Sequence, residues 1–163
     1  MRRFDNMLSL FLRNVFFTLL QPGLVAGFIP YWILGDRWSS VFKQPFNFHH
    51  YTGMILFVIG MVITLACIVS FAIKGCGTLS PLDPTKQLVI TGLYRYSRNP
   101  MYMGVMILLI GEAIFFQSSS LVTYLLGFFL AFNIFIFIHE EPRLRKEFGQ
   151  EYSNYCKKVR RWF

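Results

Sequence analysis

The sequence is short of acid. Eight Asp and Glu stand against sixteen Lys and Arg, a formal charge of +8. It is also short of cysteine. Cys67, Cys76 and Cys156 lie far apart, no CxxC or Cys/His spacing suggests zinc, and an odd count gives no disulfide framework, so no metal is expected. Cys156 is not in a carboxyl-terminal prenylation box, because the sequence ends RRWF. No cleavable signal pattern is present, and the first apolar run is long enough to be retained as a span. Internal repeats and low-complexity tracts are absent. On a soluble surface such a charge would suggest nucleic acid, but here the basic residues sit in blocks that flank apolar runs. They read as topology and contact with anionic headgroups, and no nucleic-acid partner is expected.

What the sequence has in excess is apolar surface. Of 163 residues 55% are hydrophobic and 19 are phenylalanine, more than so short a soluble domain can hide. Four runs stand out: 14–34, 53–73, 100–116 and 120–138. The first is interrupted by Pro22, Gly23, Gly27 and Pro30, which predicts a kinked helix. Only QSSS links the third and fourth, so these two form an antiparallel hairpin. The amino end, the loop after the second span and the tail hold 3, 4 and 7 Lys and Arg; the first loop holds two and the third none. Both termini and the long loop are therefore placed in the cytoplasm. After Glu141, Leu144, Phe148, Tyr152 and Tyr155 recur at helical spacing beneath a basic face. The expectation is a single-domain, all-α integral membrane protein, residues 1–163, with about four transmembrane helices and a cytoplasmic carboxyl-terminal interfacial helix.

Two motifs carry chemistry. In YRYSRNPMYMG, Tyr94 to Gly104, Pro100 disfavours helix at Asn99 and can itself begin one. Free N–H groups at that helix start, with Arg95 and Arg98 beside them, favour an anion. Tyr94, Tyr96 and Tyr102 offer ring faces to an adenine or a sulfonium; the alternative is an aromatic anchor at the interface. In HEEP, Glu140 and Glu141 close the fourth span, where a helix end disfavours negative charge unless something cationic or donor-rich lies close. The alternative is that they merely open the tail helix. The hairpin brings the two motifs together: one binds anions, the other cations, and a zwitterionic amino-acid group fits between them.

With LVITGLYRYSRNPMYMG, then EE, then FGQEYSNY, the chain from Gly77 onward resembles the isoprenylcysteine carboxyl methyltransferases and, more loosely, the membrane phospholipid methyltransferases. The resemblance implies S-adenosyl-L-methionine held at the cytosolic membrane face by residues 77–104 and 139–163. It places Lys86, Gln87, Leu88, Val89, Tyr94, Asn99, Pro100, Met101, Tyr102 and Glu140 at the cofactor. Glu141 is then the first candidate base, and Arg98 is the other catalytic candidate. Asn99 stands where those enzymes usually carry histidine, which removes titration near neutral pH. Ile136 stands where the prenylcysteine enzymes carry a substrate-binding arginine, which speaks against a carboxylate substrate.

The implied activity is methyl transfer to a lipophilic or lipidated acceptor that enters from the bilayer, in a membrane of prokaryotic inner type. Two other classes stay open. Membrane sterol reductases resemble the same carboxyl-terminal architecture and bind NADPH with a related element, and a non-catalytic membrane subunit would keep the fold as scaffold. Among smaller signals, Glu112 falls inside the third span, where a carboxylate is costly. Its plain reading is a hydrogen bond to Asn133 or a neighbouring hydroxyl; its functional reading is contact with substrate or proton removal, second to Glu141. His49, His50 and His139 read as interfacial residues. The sequence sets no oligomeric state.

Overall fold

The computed structural model describes residues 22–43, 45–74 and 88–162. A π-helical turn, Leu24–Phe28, leads into α1 (Ile29–Leu34), then α2 (Arg37–Val41) and the long α3 (Phe48–Lys74). A 3-10 turn, Gly92–Arg95, precedes α4 (Pro100–Phe116) and α5 (Ser119–Phe135). A second π-helical turn, Ile136–Glu140, carries α5 without a break into α6 (Glu141–Lys158). Among the described residues the only strand-like pairing is a parallel bridge between Ser97 and Arg160.

Residues 14–21 of the expected first span, like Lys86 and Gln87, lie outside the described residues. The second expected span begins five residues earlier than the apolar run, at Phe48. Its first turn is tied by the Asn47 N–H, which donates to His50 Nδ1 at 3.0 Å. The third has the expected bounds, because Pro100 starts it and Gln117, left-handed at φ 46°, stops it. Ser118 then accepts from the Leu121 N–H and caps α5. The tail helix is not one straight rod: Gly149 adopts φ 50° and ψ −118° inside it.

Among the described residues the most extensive contact between helices is that of α3 with α4. It follows from four glycines. Gly53 and Gly60 on α3 are seven residues apart, as are Gly104 and Gly111 on α4. The helices run antiparallel, so Gly53 meets Gly111 and Gly60 meets Gly104. A Cβ on Gly60 would stand 2.5 Å from the Leu108 nitrogen and 2.6 Å from the Gly104 oxygen, so only glycine lets the backbones approach this far. Sevenfold spacing keeps the seam facing its partner along both helices.

Both π turns precede a proline by two residues. In the first, the Ile29 N–H reaches back to the Leu24 carbonyl; in the second, Glu141 reaches Ile136. Continued in that register, the next donors would be Pro30 and Pro142, which have no N–H. The Val25 carbonyl, left without its helical donor, accepts instead from the Tyr124 hydroxyl of α5 at 2.9 Å. The expected kink in the first segment thus takes the form of a widened turn, repaired from a neighbouring helix.

Ala26, Val105, Leu108, Leu109 and Phe128 form the buried centre where the first π turn, α4 and α5 meet. Leu34, Ala113 and Leu121 close the end near the α4–α5 link. Outside these, the surface is apolar: Ile55, Val62, Leu130, Ile134 and Phe137 are all exposed. Among the described residues two helices are long and apolar enough to cross a membrane, Phe48–Ser70 and the joined Ser119–Lys158. Their most apolar windows bury only 22% and 11% of their residues, unlike the core helix of a soluble protein. Such a surface calls for lipid as its solvent.

Candidate active site

The hairpin of α4 and α5 returns the chain to its starting level, so the beginning of α4 faces the end of α5. The approach to α4 is bent by Gly92, at φ 63°, and by the 3-10 turn. Tyr94 points inward and packs with Cys67 and Val89, alongside Met101. Burial holds its phenol well above its ordinary value, with the charges of Cys67 and Glu140 adding to the effect. Its carbonyl accepts from the Tyr155 hydroxyl at 2.6 Å, which docks α6 onto the turn. Tyr96 faces outward and is 79% exposed, so it takes no part in this cluster.

Asn99, at φ −128° and ψ 49°, is outside the helical region, and Pro100 opens α4. Its N–H donates to Ser97 Oγ at 3.1 Å, and its side-chain amide donates to the Arg161 carbonyl at 3.1 Å. One turn in, the Tyr102 hydroxyl donates to Glu140 Oε2 at 2.9 Å, and its ring lies 4.7 Å from that of Phe132. The two motifs, 38 residues apart, are therefore in contact, as the hairpin argument requires.

Glu141 is buried and its oxygens are occupied. Arg98 Nη1 donates to Oε1 at 3.2 Å, while Arg161 Nε and Nη2 donate to Oε1 and Oε2 at 3.0 and 2.9 Å. The Arg161 fork is bidentate, the geometry in which arginine holds a carboxylate best. Arg98 Nη1 also donates to Cys156 Sγ at 2.9 Å. Burial works against the charge on Arg98, but Cys156 and Glu141 outweigh it and raise its pKa. The last residues form a strap over the turn. The Arg98 N–H donates to the Arg160 carbonyl at 3.0 Å, and Ser97 Oγ donates to the Arg161 carbonyl at 3.1 Å. Arg161 also lies over the Phe137 ring, 5.9 Å from its centroid.

Of the residues singled out in the sequence, the structure gathers Tyr94, Arg98, Asn99, Pro100, Met101, Tyr102, Glu140 and Glu141 at one end of the bundle. Val89 is buried with them, and Leu88 is half-buried. Leu88 also lines a cavity of about 200 Å³ with Ile90, Glu151, Asn154, Tyr155 and Lys158. Sequence reasoning had no place for Ser97, Cys156, Arg160 or Arg161. The one available signal was an arginine pair sixty residues beyond an acceptor-rich turn, with two adjacent glutamates between them. Glu141, expected as a base, and Arg98, the other expected catalytic residue, are bound to each other.

The sequence model described as phospholipid methyltransferase matches residues 48–151. The chain belongs to this family. Within the phospholipid methyltransferase match fall the glycine seam, the turn before α4 and both glutamates, while Arg160 and Arg161 lie beyond it. Two rice proteins, from Oryza sativa subsp. indica and subsp. japonica, are each described as a probable protein-S-isoprenylcysteine O-methyltransferase. Each is 30% identical to this chain over 118 residues, which make up 71% of this chain and 61% of the rice protein. The chain thus spans about three-fifths of the length of these relatives. An uncharacterized protein of Haemophilus influenzae is 34% identical over 62 residues, 38% of this chain and 98% of that protein. No solved structure matches.

Proposed function

We propose that the protein is an integral membrane methyltransferase that uses S-adenosyl-L-methionine and methylates a lipophilic acceptor at the cytoplasmic face. The observation that carries this reading is the contact between Tyr102 and Glu140, which joins the RNPMY turn to the glutamate pair. The groups gathered there suit the cofactor. Glu140 is a carboxylate for an ammonium or ribose hydroxyls, and the first turn of α4 offers backbone N–H groups to a carboxylate. Tyr102 fixes the orientation of Glu140, and Leu88 and Val89 border the same end with Lys86 and Gln87 just before them in sequence. When bound, the cofactor supplies an electrophilic methyl group.

The protein's own part is alignment and exclusion of water, which an in-line displacement needs most. Arg98 and Glu141 serve as positioning residues. Their ion pair with Arg161 fixes the residue next to Glu140 and closes the strap over the turn. The acceptor reaches this end laterally, along the apolar outer surface. The names of the rice relatives and of the family point to an isoprenylcysteine or phospholipid acceptor; Ile136, in place of the prenylcysteine enzymes' arginine, favours an acceptor without a carboxylate. The test is transfer of radiolabelled methyl from S-adenosylmethionine to bilayer lipids by purified protein in vesicles. Label in the lipid fraction, lost in Glu140→Gln, is expected. A folded, cofactor-binding protein that labels no lipid and no lipidated peptide contradicts the reading.

A further inference from the structure

Glu112 lies on α4 away from the site just described. Ten residues separate it from Tyr102, about 15 Å along the helix. It is 6% exposed, and its Oε2 is buried without a hydrogen-bond partner. The expected bond to Asn133 is not made: that amide donates to the Phe129 carbonyl of its own helix at 2.8 Å. An uncompensated carboxyl oxygen in the bundle costs more than almost any other buried group.

The surroundings are specific. Tyr102, Val105, Leu109 and Glu112 follow one another at spacings of three, four and three, so they form one stripe on α4. Tyr124, Phe128 and Phe132 form the matching stripe on antiparallel α5. Tyr102 contacts Phe132 at one end, and Val105 and Leu109 pack with Phe128 in the middle. At the other end the same antiparallel register sets Tyr124 across from Glu112. Its hydroxyl donates its only proton to Val25 and keeps lone pairs to offer. That bond exists because Pro30 deprives the first π turn of a donor. An apolar stripe therefore runs between two polar ends. The end at Glu112 is rich in acceptors and, among the described residues, supplies the carboxyl oxygen with no donor.

We propose that Glu112, Tyr124 and the Val25 turn form a second binding site, which takes the hydrogen-bond donor head of a lipophilic molecule entering from the bilayer. The ligand class is a long-chain amine or alcohol, and Glu112 Oε2 receives its donor. The site stands independently of methyl transfer, since it uses none of the residues placed at the cofactor. If the ligand is also the methyl acceptor, the distance to Tyr102 fixes the spacing between its two polar groups.

The test is photo-crosslinking in detergent micelles with three diazirine probes of one chain length, ending in a primary amine, a hydroxyl or a methyl ether. Crosslinked peptides are mapped by mass spectrometry in the wild type, Glu112→Gln and Glu112→Leu. The expected result is at least tenfold enrichment of crosslinks in α4 around Glu112 and in α5 around Tyr124 for a donor-headed probe over the ether. Glu112→Leu abolishes the enrichment. Amine enrichment lost in Glu112→Gln identifies a cationic ligand; hydroxyl enrichment retained in Glu112→Gln identifies a neutral one. Equal labelling by all three heads overturns the proposal, as does enrichment that survives Glu112→Leu. The two variants remove a carboxylate without adding bulk, and a thermal unfolding midpoint no lower than the wild type's certifies their fold.

Discussion

The α3–α4 seam and the junction beneath the strap are held by opposite means. Along the seam, glycine is set against backbone, and what matters is that nothing protrudes. At the junction, six side chains from four parts of the chain meet through directional bonds, and each group is chosen for what it donates or accepts. In lipid, packing alone holds two apolar helices only if they come very close. Polar bonds locate parts of the chain that have no apolar reason to meet. The seam is therefore a scaffold that tolerates no added volume, whereas the junction tolerates volume better than it tolerates loss of a partner.

The comparison breaks most sharply at Gly60. Gly60→Val places a side chain into Leu108 and Gly104 and is expected to destabilise by about 3 kcal/mol, read as thermal unfolding in detergent. An unchanged midpoint would mean that the helices do not meet through these glycines. Next comes Glu141→Gln, which leaves Arg98 and Arg161 without their carboxylate. A fully buried pair would lose more, but Arg161 keeps a third of its side chain exposed, so about 2 kcal/mol is expected. Arg161→Lys keeps the charge and loses the fork, at a cost of about 1 kcal/mol, together with faster proteolysis of the tail. If Lys and Ala behave alike at this position, the bidentate contact is irrelevant. The smallest effect is expected at Gly127, which has open space around its would-be Cβ. Gly127→Ala should shift stability by no more than about 0.5 kcal/mol, and a large loss there would blur the contrast between the seam and the rest of the bundle.

Much of this was legible in the sequence. Pro100 and the polar link at Gln117 and Ser118 bounded α4 to the residue, because they act locally on the backbone. The meeting of Tyr102 with Glu140 followed from so short a link, which leaves the two helices no arrangement but a hairpin. The glycine seam was visible as two sevenfold spacings, yet a glycine in a helix reads first as a weak point. The strap was not legible. Ser97 and Arg160 pair across sixty-odd residues, and nothing local to RRWF announces its target. Expecting Asn133 to satisfy Glu112 failed because the hairpin register sets Asn133, next to Phe132, at the Tyr102 end, where its amide bonds the Phe129 carbonyl of its own helix.

The central claim is that the contact between Tyr102 and Glu140 marks a cofactor site. Calorimetric titration of detergent-purified protein with S-adenosylmethionine and with NADPH, beside Glu140→Gln, tests it most directly. The account predicts that S-adenosylmethionine binds, that NADPH does not, and that Glu140→Gln weakens binding about tenfold or more, the loss expected for one charged hydrogen bond. Binding of NADPH alone, or of neither compound to folded protein, would contradict it.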